Sequence, residues 1–350
     1  MSLPIHIAGT SAICSIGTTV PQIWAAARAG ISRFAESSVH DRFFAPIRMA
    51  LLPEDALPEA PPEASDIPLT SRQRRMLRLA LPALQQCCSS LPTPAQVPLF
   101  LGLPEPSAAP HPIADKPWLS GLAKLSACPI DIEASEAFPI GRAAGMKALC
   151  AAITFLAQGP NRSALVGGVD TFLDLRRLAE LDAEGRLLGE RTMDGFVPGE
   201  GAAFVLLTNA PANGPHTAIL AAAMADDPGH RYSEAPGKGE GLANAIEAMR
   251  TQMPPPAAPA QLIFAGLNGE GAAAKEWGVA HLRHSDLLAP EASLEHPADR
   301  FGDVGAAMGT MLLALADAAL LQGHREGPAL VWASSDREPR GCAWLQLMAS

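Results

Sequence analysis

Asp194-Gly195-Phe196-Val197-Pro198-Gly199-Glu200-Gly201-Ala202, running directly into Ala203-Phe204-Val205-Leu206-Leu207, is the stretch on which the fold turns. Three glycines and a proline within eight positions mark a tightly turned backbone, because glycine takes left-handed dihedrals cheaply and proline fixes its own φ. The apolar run behind the turn has no polar alternation, which predicts a strand buried on both faces. Asp194, Gly195, Gly199, Glu200 and Gly201 are therefore read as the structural residues of a turn that feeds a core strand.

The 350 residues are 48% hydrophobic, enough for a large core. Acidic residues outnumber basic ones by 36 to 26, and the net charge of −10 argues against nucleic acid or an anionic membrane as a partner. The densest basic group, Arg72-Gln73-Arg74-Arg75, reads as the wet side of a helix. Met1 to Pro4 lacks the basic flank and cleavage site of a secretory signal, so a cytoplasmic location is expected. The apolar stretch from Ala306 to Leu321 is interrupted by Asp317 and falls short of the ~20 residues of a membrane span, predicting a buried core helix. Six cysteines, at 14, 87, 88, 128, 150 and 342, have no CxxC spacing and fit reduced thiols. His281 and His284 lie three apart with no further ligands beside them, so neither a metal nor a cofactor is expected.

Along the chain, residues 3 to 9 predict a strand, and Gly17-Thr18-Thr19 opens a helix that Gly30 closes. Thr70-Ser71 caps a helix to about Ser89, after a proline-rich excursion over 52 to 68. A strand follows at 98 to 102, an irregular tract at 104 to 113, a helix from Gly141 to Gly159 and a strand at 163 to 168. Beyond the opening stretch come strands at 203 to 208 and 217 to 224, a helix from Gly241 to Met253 and a loop at 253 to 260. The chain ends with a strand at 261 to 265, a helix from Asp303 to Leu321, and strands at 328 to 334 and 342 to 348. Two successive sets of strands and buried helices imply layered α/β packing.

Several stretches, in order, are similar to the β-ketoacyl synthases of the thiolase superfamily. Ile5-His6-Ile7-Ala8-Gly9-Thr10 with Ser15-Ile16-Gly17 resembles their opening. Ser71-Arg72 and Leu99-Phe100-Leu101-Gly102, then Gly167-Gly168-Val169-Asp170, Asp194 to Ala202 and Gly305-Ala306-Ala307, extend the resemblance over nearly the whole chain. It implies a thiolase-like α/β fold, with two pseudo-duplicated α/β/α/β/α halves in a five-layer sandwich, here 1–175 and 176–350. It also implies a dimer and a site built from one cysteine and two histidines.

Those three positions fall elsewhere in residue type. Counting back from Gly159 and Gly167-Gly168, with Gly145 on the glycine just past the nucleophile, the cysteine position falls on Arg142. Arginine stays protonated and offers no lone pair, so it cannot attack a thioester. Phe264-Ala265-Gly266-Leu267-Asn268-Gly269-Glu270, with Glu276 beyond, matches the first histidine loop and puts Ala265 in the histidine place. Gly302 takes the place of the second histidine, three residues ahead of Gly305-Ala306-Ala307. The glycine-rich gate of the family is replaced by Ser334-Ser335-Asp336-Arg337-Glu338-Pro339-Arg340-Gly341, and the span from Gly102 to Arg142 is shorter than in a synthase.

Arg142, Asn268, Glu270, Arg300 and Asp303 are expected to meet where the pocket was, either as a plug of paired charges or as a binding site anchored by Arg142 for an anionic or peptide partner. Leu267-Asn268-Gly269-Glu270 with Glu276-Trp277-Gly278 is also similar to thiolase-like bacterial proteins encoded beside type VI secretion effectors and adaptors. The resemblance thus implies a catalytically degenerate protein acting by binding. It would be an accessory or adaptor in effector secretion, or the silent subunit of a condensing-enzyme pair, with an acyl group or carrier protein as possible ligand. The alternative is an acyltransferase of the 3-oxoacyl-carrier-protein synthase type using Cys150, Cys128 or Ser135.

Overall fold

The computed structural model describes residues 5–59, 61–62, 64, 69–91, 96–106, 116–253, 258–324 and 326–349. The expected loops at 104–113 and 253–260 lie partly outside the described residues, as does the excursion at 52–68. The first part of the chain forms β1 (Ile5–Cys14), α1 (Val20–Arg28), β2 (Ala35–His40), β3 (Pro46–Met49), α2 (Ser71–Cys88), β4 (Leu99–Gly102), α3 (Lys116–Ser126), β5 (Glu136–Phe138), α4 (Ala144–Leu156), β6 (Ser163–Thr171), α5 (Leu175–Ala183) and β7 (Glu200–Thr208). The remainder forms β8 (His216–Asp226), α6 (Glu240–Arg250), β9 (Ala260–Ala265), α7 (Gly271–Arg283), β10 (Leu288–Glu295), α8 (Ala298–Phe301), α9 (Met308–Leu321), β11 (Ala329–Ser334) and β12 (Pro339–Met348).

Local chemistry sets the helix starts. Thr19 caps α1 with a proline in its first turn. Thr70 and Gln73 form a reciprocal capping box at the start of α2. Gly30, at φ +71, follows α1 in the left-handed conformation.

The strands run in the order β10-β9-β11-β12-β8-β1-β7-β6-β4-β5. From the middle outward, each side repeats one scheme of two antiparallel pairings followed by two parallel ones: β1-β7-β6-β4-β5 and β8-β12-β11-β9-β10. Among the described residues, the strands of the two sides pair through Ile5 opposite Ile219 and His6 opposite Ala218. Helices α2 and α3 pack an apolar cluster on the outside of the first five strands, and α6 and α7 on the outside of the second. Between the two sides lie α1, α4 and α9, whose residues form the largest core cluster. Five layers result, the arrangement of the thiolase-like ketosynthase fold.

β7 is buried along its whole length, as its unbroken apolar run requires. It lies between β1 and β6, so the strands on the first side run to Thr208 and those on the second begin with β8. Helices α3, α5 and α7, the β2–β3 hairpin and β10 were not anticipated. Helix α7 has alanines and charges in place of an apolar stripe, and β10 is an irregular strand whose register breaks between Leu288 and Ser293.

One expectation is overturned: Arg72-Gln73-Arg74-Arg75 is not a wet helix face. Arg72 is buried against Asp170 at 2.8 Å and the Thr171 carbonyl at 2.9 Å. Arg75 holds both carboxylate oxygens of Glu200, at 2.5 and 2.6 Å. Only Arg74 of the three faces solvent. The reason is that α2 lies across β7, β1 and β6, where the acids of the first sheet's C-terminal rim reach it.

Candidate functional site

Arg142 stands on the 3-10 turn Gly141–Ala143 that leads into α4. Gly141, at φ +74, makes the reversal that aims the next side chain inward, and its N–H donates to the Leu103 carbonyl at 3.1 Å. The guanidinium is only 7% exposed. Its Nε donates to Asp303 Oδ2 at 2.5 Å and its Nη1 to Asp336 Oδ1 at 2.8 Å. Its planar face lies 5.2 Å from the centroid of Phe196.

Asp303 has no exposed surface, and every side-chain oxygen has a partner. Oδ1 accepts from Gly305 N at 2.8 Å, and Oδ2 accepts from Arg142 and from Asn268 Nδ2, the latter at 2.9 Å. Its backbone is clamped by the turn that opened the sequence reading: Asp303 N donates to Val197 O and Gly199 N to Asp303 O, both at 2.8 Å. The turn therefore positions the acid that holds Arg142. Its own Glu200 braces α2 through Arg75, while Asp194 Oδ1 accepts from Gly271 N at 2.6 Å in the first turn of α7.

A second arginine completes the cluster. Arg186, 2% exposed, forms two 2.8 Å bonds to Glu270 and bonds of 2.8 and 2.9 Å to Asp336. It lies 5.3 Å from the Phe196 centroid, so that ring stands against both guanidiniums. Arg231 Nη2 reaches Glu270 Oε1 at 2.7 Å, and Asn268 Nδ2 reaches Glu270 Oε2 at 2.9 Å. Arg142, Arg186 and Arg231 thus face Asp303, Asp336 and Glu270, charge for charge. Burial works against ionisation of Asp336, and the Arg142, Arg186 and Arg231 guanidiniums overcome it, holding its carboxyl far below the usual range. Glu270 is lowered in the same way, burial being outweighed by Arg186 and Arg142. Burial opposes the charge of Arg142 too, yet Asp303 and Asp336 raise its pKa further.

The structure brings Arg142, Asn268, Glu270 and Asp303 together. It leaves Arg300 out: that side chain is 37% exposed and pairs with exposed Asp299 at 3.3 Å, because α8 turns it outward before Gly302. Ala265 ends β9 fully buried, within the apolar cluster that includes Trp277 and Trp332. Gly302 sits at φ +74, and a Cβ there would lie 2.8 Å from the Val197 carbonyl oxygen. Neither Ala265 nor Gly302 carries a side-chain donor, and at Gly302 a larger side chain would meet main chain.

Sequence reasoning missed Arg186, Arg231, Phe196 and Asp336 as site residues. Asp336 carried a signal, since an acid stood where the family gate has small residues; Arg186 and Arg231 carried none. The segment from Ser334 to Gly341 is fastened down. Ser335 Oγ accepts from Ala143 N at 3.0 Å and donates to the Ile140 carbonyl, and Arg340 is buried on Glu276.

The alternative nucleophiles stand apart from the cluster. Cys150 lies about two turns into α4, where burial pushes its thiol up to about 11. Cys128 belongs to the outer α2/α3 layer, and the Ser135 hydroxyl is committed to the Asp131 carbonyl at 2.6 Å and to Leu99 N at 2.8 Å. His284 donates to the Ala243 carbonyl at 2.8 Å, and no metal-holding group of His, Cys, Asp or Glu occurs among the described residues. Two cavities, of about 310 and 340 Å³, flank the cluster, and Arg142 and Asp336 line both. In the lining of the smaller one, burial and the nearby Asp336 raise the Glu105 carboxyl.

Residues 142–212 match the family described as Beta-ketoacyl synthase, N-terminal domain. No curated protein matches the chain in sequence. Among solved structures, the ketosynthase ApeO in complex with its chain length factor ApeC from Xenorhabdus doucetiae is 16% identical, with a TM-score of 0.76 over 99% of this chain and 98% of that one. The ishigamide ketosynthase/chain length factor is 19% identical, with a TM-score of 0.72 over 99% and 100%. A type II polyketide synthase acyl-carrier protein in complex with its ketosynthase bound to the hexaketide gives 14% identity and a TM-score of 0.74 over 99% and 100%. These likenesses establish a ketosynthase-like fold. Among the described residues, no helix is long and apolar enough to cross a membrane.

Proposed function

We propose that this chain is a catalytically silent ketosynthase-fold protein that acts by binding a protein partner, with an active condensing-enzyme subunit as that partner. One observation carries the reading: Arg142, which the resemblance aligns with the nucleophile, has its guanidinium spent on Asp303 and Asp336. Acyl transfer needs a nucleophile and donors aimed at a developing oxyanion. This site offers neither, since Ala265 and Gly302 have no side chain able to donate. The cluster acts as a plug that keeps the two halves in register, and a protein retaining the scaffold without the chemistry has surface recognition left to it.

A condensing-enzyme partner is favoured over an accessory to a secreted effector because two of the similar structures pair a ketosynthase with a chain length factor. The test has two arms. Purified protein is assayed for malonyl-carrier-protein decarboxylation and acyl condensation beside an Arg142→Ala control; turnover above that control sinks the silent reading. The chain is also co-expressed with any ketosynthase encoded next to it and sized by light scattering. A one-to-one complex supports the pairing, whereas co-purification with a secretion adaptor in its place assigns the protein to effector delivery.

A further inference from the structure

Outside the large sheet, the β2–β3 hairpin turns through Asp41-Arg42-Phe43-Phe44-Ala45, a tip that presents aromatic side chains to solvent. Among the described residues, Phe44 (89%) and Met193 (83%) are the most exposed large apolar side chains. Phe44 is held at φ +64, a left-handed conformation that a bulky residue adopts only at a cost. The tip around it is tightly built. Asp41 N donates to the Ala45 carbonyl at 2.8 Å, and Asp41 Oδ1 accepts from the Phe43 and Ala45 N–H groups, both at 2.8 Å. Arg42 N fastens the tip to α5 through Asp182 Oδ2 at 2.7 Å. Two guanidiniums stand against the Phe43 ring, that of Arg42 at 5.0 Å from its centroid and that of Arg191 at 4.5 Å.

Beside the tip, a groove of about 470 Å³ runs between the hairpin and the segment 187–192, with Phe43, Ile47, Leu187 and Leu188 in its apolar lining. Six charged residues line it as well. Asp41 is committed to the tip and Asp182 to Arg42. The other four, Glu36, Arg48, Glu190 and Arg191, are exposed, and none has an ion-pair partner among the described residues. A face whose free charges share one sign selects a partner of the opposite sign. Here the free charges are two of each sign, set beside a knob and a groove, and the surface that complements such a face is its own copy turned about a two-fold axis. We infer that the hairpin face joins two copies of this chain, Phe44 of each seated in the groove of the other and the arginines of each facing the glutamates of the other. An exposed aromatic flanked by arginine is the kind of residue that anchors an interface. The two-fold occupies both knobs and both grooves at once, so association stops at two chains. The contact concerns the chain by itself and stands whether or not a condensing enzyme binds elsewhere on it.

Light scattering of the purified chain alone, over a range of concentrations, measures the contact. The native protein is expected to show a two-chain mass, and Phe44→Asp to weaken the association at least about thirtyfold. Far-ultraviolet circular dichroism of each variant checks that it is folded. Two charge-reversed chains test the pairing of signs: one carries Arg48→Glu with Arg191→Glu, the other Glu36→Arg with Glu190→Arg. Each alone is expected to run as a single chain, and their equimolar mixture to restore the two-chain mass. With p-benzoylphenylalanine at position 44, irradiation should cross-link that position to the segment 187–192 of the other copy. A single-chain mass for the native protein at about 100 μM overturns the proposal. So does a two-chain mass that survives Phe44→Asp, which puts the contact on another face, or a mixture of the folded charge-reversed chains that stays single.

Discussion

Arg142 is held by two carboxylates, which accept from its Nε and Nη1, and by the Phe196 ring near its guanidinium carbon, while Nη2 stands close to Asp303 Oδ2 without a hydrogen bond of its own. Removing it leaves Asp303 and Asp336 buried with one cation fewer between them, the situation in which a broken ion pair is most costly. Arg142→Ala is expected to lose about 3–5 kcal/mol in urea denaturation, whereas a solvated network would lose under about 1 kcal/mol. Arg142→Cys places a thiol where the resemblance puts the nucleophile, yet no acyl label should accumulate on it above the wild-type background. The buried acids of Asp303, Asp336 and Glu270 disfavour a thiolate beside them, and Ala265 and Gly302 supply no donor to an oxyanion. Accumulation of label would mean that the pocket had survived and only the nucleophile was missing.

At the scale of elements, the turn ahead of β7 works through backbone proximity. A Cβ on Gly199 would lie 2.7 Å from the carbonyl oxygen of Phe301 and 3.1 Å from that of Asp303. Both neighbours are main chain and cannot swing aside, so Gly199→Ala should cost about 1–3 kcal/mol and lower the melting temperature. Helix α9 carries the opposite kind of tension, a buried acid without a cation. Burial raises the Asp317 carboxyl to about 6, which Thr217 only partly offsets, and its Oδ1 has no hydrogen-bond partner in the structure. A carboxyl raised in the folded state contributes stability below its unfolded pKa and loses it as pH rises through the folded value. Asp317→Asn should therefore match the native protein near pH 4 and exceed its stability by up to about 3 kcal/mol at about pH 8, as measured by denaturation at both values. The helix itself was legible in the sequence as an apolar stretch too short for a membrane. That its one acid would lie among core residues was not, because a helix buried all round has no wet side on which to put it.

The whole molecule is two similar five-stranded sheets closed over α1, α4 and α9, with the charge cluster at the seam where α4, the turn before β7 and the segment after β11 meet. Its pH response follows from the lowered acids. Glu270 and Asp336 fall below ordinary values of 4.5 and 3.8, so their contribution is complete above about pH 5 and is lost as pH falls further. Acid unfolding of the native chain should steepen below about pH 4, and in Asp336→Asn it should be shallower, at the price of a lower plateau near neutrality. Local patterns in the sequence determined much of this protein: the caps of α1 and α2, the burial of β7 and α9, and the order of most strands. These depend on neighbours within a few residues, where periodicity and side-chain type act directly. Only the tertiary structure decided that β7 completes the first sheet, that Arg72 and Arg75 turn inward to Asp170 and Glu200, that Arg300 stays outside, and that Asp336, Arg186 and Arg231 complete the cluster. Arg142 meets partners 161 and 194 positions away. No local pattern encodes such pairings, because whether an arginine is wet or buried depends on which distant acid the closed chain brings to it.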